Sequence, residues 1–261
     1  MSNLLQDKVV CITGASRGIG RACAVESAKQ GARGLVLHYL GDPETEAEVQ
    51  SLRVYVETFS DAKAAVVSGD IANPETSTKI VDVGVKTFGR IDVLVSNAGI
   101  CPFAEFLTMP HPIWERTRQV NLDGSFFVVQ AVANQMKAQV PQGGSIIGVS
   151  SISALVGGEY QCHYTPTKAA ILSLMQSCAV ALGKYNIRAN AVLPGTIATD
   201  INKEDLSDVV KRENMIKRTA LGRLGVPDDI AGPVVFLGSD LAKYVTGASL
   251  LVDGGLFVNL Q

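Results

Sequence analysis

Tyr164 and Lys168 stand four residues apart in the stretch HYTPTK, residues 163–168. Four residues is close to one helical turn, so a helix here sets a phenol and an ammonium on one face. A phenol is a poor base near neutral pH, with an ordinary pKa of about 10, but positive charge beside it favours the phenolate and makes it a candidate acceptor for a carbinol proton. Pro166 lies between the two residues. Proline is tolerated in a first helical turn, where its missing N–H costs no bond, so the helix is predicted to start close to Tyr164. Upstream, the apolar run GGSIIGVSS ends in Ser150 and Ser151. A hydroxyl there can hydrogen-bond an oxygen on which charge develops. A second stretch, TGASRGIG from Thr13 to Gly20, has glycines at 14, 18 and 20. Missing side chains at a strand-to-helix turn let backbone N–H groups and the helix N-terminus approach a pyrophosphate. The spacing G-x-x-x-G-x-G departs from the dinucleotide fingerprint G-x-G-x-x-G, and three glycines also suit an ordinary tight turn.

The scaffold for these residues is legible in seven short apolar runs: KVVCITG, GLVLHY, KAAVVSGD, IDVLVSNAG, GGSIIGVSS, IRANAVLPG and SLLVDGG. They are β-branched and nearly continuous rather than alternating, as strands buried on both faces are. Segments such as 18–30 and 74–88 are long enough to be crossover helices of right-handed βαβ units. The fold expected is α/β: a Rossmann-type doubly wound parallel sheet with helices on both faces, as one domain over 1–261. Two long helices are expected at 113–138 and 160–184, with apolar residues on more than one side. The irregular stretch 195–226, polar and helical in its middle and set between glycines, reads as a movable flap.

A net charge of −2 with dispersed Lys and Arg gives no basic stripe, which argues against a nucleic-acid partner. No signal-peptide pattern and no apolar run long enough to span a bilayer is found, so a soluble cytoplasmic protein is expected, with no membrane partner. The five cysteines lack C-x-x-C or metal spacing, and the three histidines are scattered, so neither disulfides nor a metal site is expected.

Taken in order, TGASRGIG, SNAG (96–99), NLDG (121–124), the serine closing GGSIIGVSS, Tyr164-x-x-x-Lys168 and PGTIATD resemble the short-chain dehydrogenase/reductase superfamily along nearly the whole chain. Ser96 stands where the family often has a first asparagine, and Pro166 where a small residue is usual. The resemblance implies Tyr164 as general acid/base, Lys168 as the group that lowers its pKa and holds the nicotinamide ribose, and Ser151, not Ser150, as the hydroxyl on the reacting oxygen. Asn121 matches the asparagine that bends its helix and holds a water in a proton relay behind the lysine. For a nicotinamide cofactor it implies a cradle of Gly14, Ser16, Arg17, Gly18, Ile19 and Gly20. Asp70 and Ile71 are implied at the adenine, Asn97 and Gly99 beneath the adenosine ribose, and Pro194, Ile197 and Thr199 at the carboxamide, with Tyr164 and Lys168 completing the site.

The acid that usually grips the ribose 2′-hydroxyl at the end of the second strand is missing: His38, Tyr39 and Leu40 stand there, with Asp42 a few residues on. Arg17 suits a 2′-phosphate, so NADP is favoured and use of both NADP and NAD expected. The run from HYTPTK to INKEDL is similar to fungal sugar dehydrogenases that oxidise L-rhamnose at C1 to the lactone. Relatives of L-rhamnose such as L-lyxose and L-mannose are further candidate substrates. Ser153, Gln161 and Thr196, with Ser151 and Tyr164, are the polar groups expected to meet a hydroxyl-rich ligand. Two alternatives stand beside this one: a 3-oxoacyl-carrier-protein reductase, for which Arg212, Lys217, Arg218 and Arg223 would offer a basic entry, and a catalytically silent nucleotide-binding scaffold. The apolar surplus on the long helices implies a homo-oligomer, and the resemblance implies a tetramer or dimer.

Overall fold

The computed structural model describes residues 3–259. Strands Val9–Ile12 (β1), Gly34–Tyr39 (β2), Lys63–Ser68 (β3), Val93–Ser96 (β4), Gly144–Val149 (β5), Ile187–Pro194 (β6) and Ser249–Val252 (β7) form one sheet ordered β3-β2-β1-β4-β5-β6-β7. Every pairing is parallel, and Val10 lies between Leu35 and Val93 in register. Each strand falls in one of the seven apolar runs. Strand order reverses between β1 and β4, which opens a crevice at their carboxyl ends.

The helices are Gly18–Lys29 (α1), Pro43–Phe59 (α2), Pro74–Phe88 (α3), His111–Arg118 (α4), Gly124–Ala138 (α5), Thr165–Leu182 (α6), Val209–Arg218 (α7) and Pro227–Gly238 (α8). They explain why the strands are apolar on both faces. In β1, Val10 and Ile12 pack with α1, α2 and α8, whereas Val9 and Cys11 point the other way to α3, α5 and α6. Alternation therefore separates two cores rather than a core from solvent.

Two expected helices differ in their bounds. The one foreseen at 113–138 is interrupted by a π turn at Gln119–Asp123, between α4 and α5. There the Ser125 hydroxyl donates to the Asn121 carbonyl at 2.6 Å, and Gly124 packs so tightly that a Cβ would lie 2.9 Å from the Ile71 carbonyl oxygen. Such bulges interrupt the regular ladder and re-aim side chains. The helix foreseen at 160–184 begins at Thr165, with Tyr164 as its N-cap and Pro166 in its first turn. The missing proline N–H falls among the donors a helix start leaves without intrahelical partners. The 195–226 stretch closes at its base through a bridge between Ile197 and Gly225, and its helix α7 buries no residue. Among the described residues no helix is long and apolar enough to cross a membrane.

Candidate active site

The glycine turn is held from three sides. Thr13, leaving β1, accepts the Asn97 and Ala98 N–H groups on its hydroxyl at 2.9 and 3.0 Å. Asn97 Nδ2 donates in return to the Thr13 and Gly14 carbonyls at 2.9 and 3.1 Å. Gly20 sits behind the turn: a Cβ there would stand 2.1 Å from the Gly14 carbonyl oxygen, so only glycine lets α1 pack this closely. From β2, His38 Nδ1 accepts the Gly14 N–H at 3.2 Å while Nε2 faces the Gly69 carbonyl at 2.8 Å. Burial pushes the His38 pKa down to about 4, so the ring is neutral and these partners fix the Nε2–H tautomer.

At the other end of the crevice, Lys168 is 4% exposed and its Nζ donates to the Val149 carbonyl at 2.9 Å. The same Nζ lies 5.5 Å from the Tyr164 ring centre. The two serines part company here. Ser150 donates to the Lys168 carbonyl at 2.7 Å, bracing α6 against β5. Ser151 accepts the Ser153 N–H at 3.0 Å, and its hydroxyl interacts with the Tyr164 phenol. Asn121 is wholly buried behind them. Its Oδ1 accepts the Ile100 N–H at 2.8 Å, and its Nδ2 donates to the Ile100 carbonyl at 2.9 Å and to the Thr167 hydroxyl at 3.2 Å. Thr167 passes this tie on to the Tyr164 carbonyl at 2.7 Å. The π turn therefore fastens the loop after β4 to the start of α6.

With the protein's own groups, burial pushes the Tyr164 phenol up, Cys101 adds to the rise, and the Ser151 bond opposes it. Lys168 is itself lowered to about 8 by burial. Burial thus opposes the charged form of both groups.

One cleft of about 1160 Å³ joins the two ends. It runs from Arg17, Leu40 and Asp70 across the glycine turn to Ser151 and Tyr164, below the 195–226 stretch. The sequence-predicted residues line it with two exceptions, Gly20 and Asn121, which lie behind its wall. Ser153, Gln161 and Thr196 share its Tyr164 end, where Gln161 Nε2 lies 3.4 Å from Cys101 Sγ and Thr196 Oγ1 lies 3.8 Å from Met215 Sδ. Ser16, Gly18 and Ile19 form its floor by the turn, and Gly99 leaves room that a Cβ would fill, 3.3 Å from Asn121 Oδ1 and 3.6 Å from Lys168 Nζ. Pro194, Ile197 and Thr199 line it where β6 passes into the 195–226 stretch, and Thr199 caps the short turn Asp200–Asn202.

Sequence reasoning passed over several partners. Asp70 holds Arg116 of α4 at 2.7 Å, which draws its carboxyl below the usual range against the opposing effect of burial, and its other oxygen accepts the Ala72 N–H at 3.0 Å. Arg17 lies 3.1 Å from Glu44 and 3.5 Å from Glu48. Asp42 caps α2, accepting from the Glu44 and Thr45 N–H groups and from the Thr45 hydroxyl. The cap was legible in D-P-E-T, since aspartate before proline and glutamate is a helix-start signature; the ion pairs carried no local signal. Floored by the glycine turn and reaching Tyr164 at its other end, the cleft has room for a dinucleotide with its pyrophosphate at the start of α1 and its far end beside Tyr164.

Comparison with known proteins agrees with this geometry. Residues 14–257 match a family model described as Enoyl-(Acyl carrier protein) reductase. The chain is 62% identical over 258 residues to an L-rhamnose 1-dehydrogenase (NAD(P)(+)) of Azotobacter vinelandii, covering 99% of this chain and 100% of that one. It is 56% identical over 263 residues to an L-rhamnose-1-dehydrogenase of Scheffersomyces stipitis, with both chains fully covered. The solved gluconate 5-dehydrogenase of Burkholderia cenocepacia, in complex with NADP and tartrate, superposes with a TM-score of 0.89 at 32% identity, over 98% of this chain and 97% of that one.

Proposed function

We propose that this chain, which belongs to the short-chain dehydrogenase/reductase family, is an NAD(P)-dependent dehydrogenase that oxidises L-rhamnose at C1 to the lactone. The observation that carries the reading is the convergence of Ser151, Tyr164 and Lys168 at one end of a dinucleotide-sized cleft, in a chain similar over its full length to proteins named L-rhamnose 1-dehydrogenase. NADP or NAD, held by the Gly14–Gly20 turn and Lys168, would supply the hydride acceptor and a positive charge at the Tyr164 end of the cleft.

The chain's own residues then divide the work. The Gly14–Gly20 turn offers backbone N–H groups to the pyrophosphate, and Asp70 with Ile71 faces the adenine. Ser151 hydrogen-bonds the C1 hydroxyl and orients it toward Tyr164. Tyr164 takes the hydroxyl proton as phenolate while the C1–H bond breaks, so two electrons leave as hydride and the C1–O bond becomes a carbonyl. Burial works against the phenolate, and charge on Lys168 with that of a bound oxidised cofactor would favour it. Asn121 and Thr167 keep the start of α6, and hence the phenol, in place. Ser153, Gln161 and Thr196 contact the remaining sugar hydroxyls, and L-lyxose and L-mannose, which vary the group on C5, are accepted less well. The 195–226 stretch acts as the flap over this end of a single domain. Exposed Phe126 on α5 and Val180 on α6 support pairing between copies, in a dimer or tetramer working in the cytoplasm.

The test is the absorbance change at 340 nm with purified protein, NADP or NAD, and L-rhamnose beside L-lyxose, L-mannose and D-glucose. Rapid cofactor reduction by L-rhamnose is expected. Absence of reduction with every sugar, with oxidation of NADPH by an acetoacetyl thioester, would replace the substrate assignment by an acyl reductase.

A further inference from the structure

We infer that Glu44 and Glu48 set the balance between NADP and NAD by competing with the 2′-phosphate for Arg17. The inference rests on the nicotinamide-cofactor reading above. A dinucleotide in the cleft places its adenosine ribose at the end of β2, beside Tyr39 and Leu40. No carboxylate is free there to grip a 2′-hydroxyl. The His38 ring is bonded at both nitrogens, Tyr39 is 6% exposed, Leu40 is apolar, and Asp42 is turned into the start of α2. Two arginines line this end of the cleft: Arg116 is held by Asp70, and Arg17, in the glycine turn, suits a phosphate because its planar fork donates two parallel hydrogen bonds.

That fork is already engaged. Its Nη1 lies 3.1 Å from Glu44 Oε1 and 3.5 Å from Glu48 Oε1, and its Nε lies 3.9 Å from Asp200 Oδ2. Glu44 and Glu48 are one turn apart on α2, so both carboxylates reach the same guanidinium. Glu48 is the more sheltered of the two, and its Oε2 is buried with no hydrogen-bond partner. Arg17 is therefore the charge that offsets a partly desolvated carboxylate, and drawing it away leaves that carboxylate poorly solvated. A 2′-phosphate has to displace these contacts to reach the arginine. A 2′-hydroxyl makes no such demand. The pair thus lowers the advantage of NADP and leaves the NAD complex competitive. Both glutamates act through Arg17 as positioning residues.

The experiment measures the dissociation constants of NADP and NAD by titration calorimetry, without sugar, on the full chain and on Glu44→Gln, Glu48→Gln, Arg17→Ala and Arg17→Ala/Glu44→Gln. Glu44→Gln is expected to shift the ratio of the two constants toward NADP by about three- to five-fold, the weight of an exposed ion pair. Glu48→Gln should shift it in the same direction. Arg17→Ala should shift it toward NAD by about ten-fold or more, as loss of a charged hydrogen bond does. In the Arg17→Ala background, Glu44→Gln should leave the ratio where it is. An unchanged or reversed ratio in Glu44→Gln overturns the inference. So does an equal shift with and without Arg17, which would mean plain repulsion of the phosphate. Failure of the unaltered chain to bind either nucleotide would instead overturn the cofactor reading, so the two failures are distinguishable.

Discussion

Replacing His38 by asparagine tests how the glycine turn is held. His38 is 2% exposed, and its pKa falls from 6.5 to about 4 because burial disfavours the imidazolium. Above pH 6.5 neither the folded nor the unfolded chain carries this proton, and the group adds no pH dependence. As pH falls below 6.5 the unfolded chain takes the proton first, so stability drops, and it stops dropping near pH 4, where the folded ring also protonates. The slope between these limits is about 1.4 kcal/mol per pH unit, which gives about 2 kcal/mol between pH 7 and 5 and about 3 kcal/mol in all. Asparagine carries no titrating proton. It can still accept from the Gly14 N–H through Oδ1, but it is shorter than the imidazole and loses the bond to the Gly69 carbonyl. Urea unfolding at one protein concentration, at pH 7, 6 and 5, measures both proteins. The variant should be less stable at pH 7 by about 1–3 kcal/mol, from a buried carbonyl left unpaired. That gap should then narrow by about 2 kcal/mol at pH 5, because only the histidine protein loses this contribution. The low-pKa carboxyls, such as Asp229 at about 2, are common to both proteins and cancel in the comparison. A gap constant from pH 7 to 5 would refute the assignment of a neutral, doubly bonded His38.

Two further substitutions address the two ends of the cleft. Tyr164→Phe removes only the hydroxyl, so kcat should fall by about 100- to 10,000-fold while the NADP dissociation constant stays near that of the unaltered chain; retained turnover would remove Tyr164 as the base. Gly20→Ala places a Cβ 2.1 Å from the Gly14 carbonyl oxygen and should cost about 1–3 kcal/mol in urea unfolding, with weaker cofactor binding; Gly157→Ala, with nothing within 4 Å of its Cβ, is the control, and equal effects at the two sites would refute the packing argument.

The sheet was legible because its information is local. Continuous β-branched runs separated by helix-length segments have one stable arrangement, a parallel sheet covered on both faces, and all seven strands fall where those runs lie. The glycines of the first turn, the Tyr164–Lys168 spacing and the proline that starts α6 are likewise statements about neighbouring residues. Tertiary structure decided what those residues face. Ser150 and Ser151 are adjacent on the same strand end, and only the approach of α6 turns one to a backbone carbonyl and leaves the other at the phenol. At the π turn Gln119–Asp123, Gly124 packs against Ile71, a contact between distant parts of the chain. His38 read as a missing acid, yet it ties the glycine turn to the end of β3. Arg17 read as a partner for a 2′-phosphate, yet α2 also brings two glutamates to it. Charge, too, was out of reach of the sequence. The spacing of Tyr164 and Lys168 sets their distance, but the pKa of each follows from how much water the folded chain removes around it, and desolvation is a property of all the segments that close over a residue.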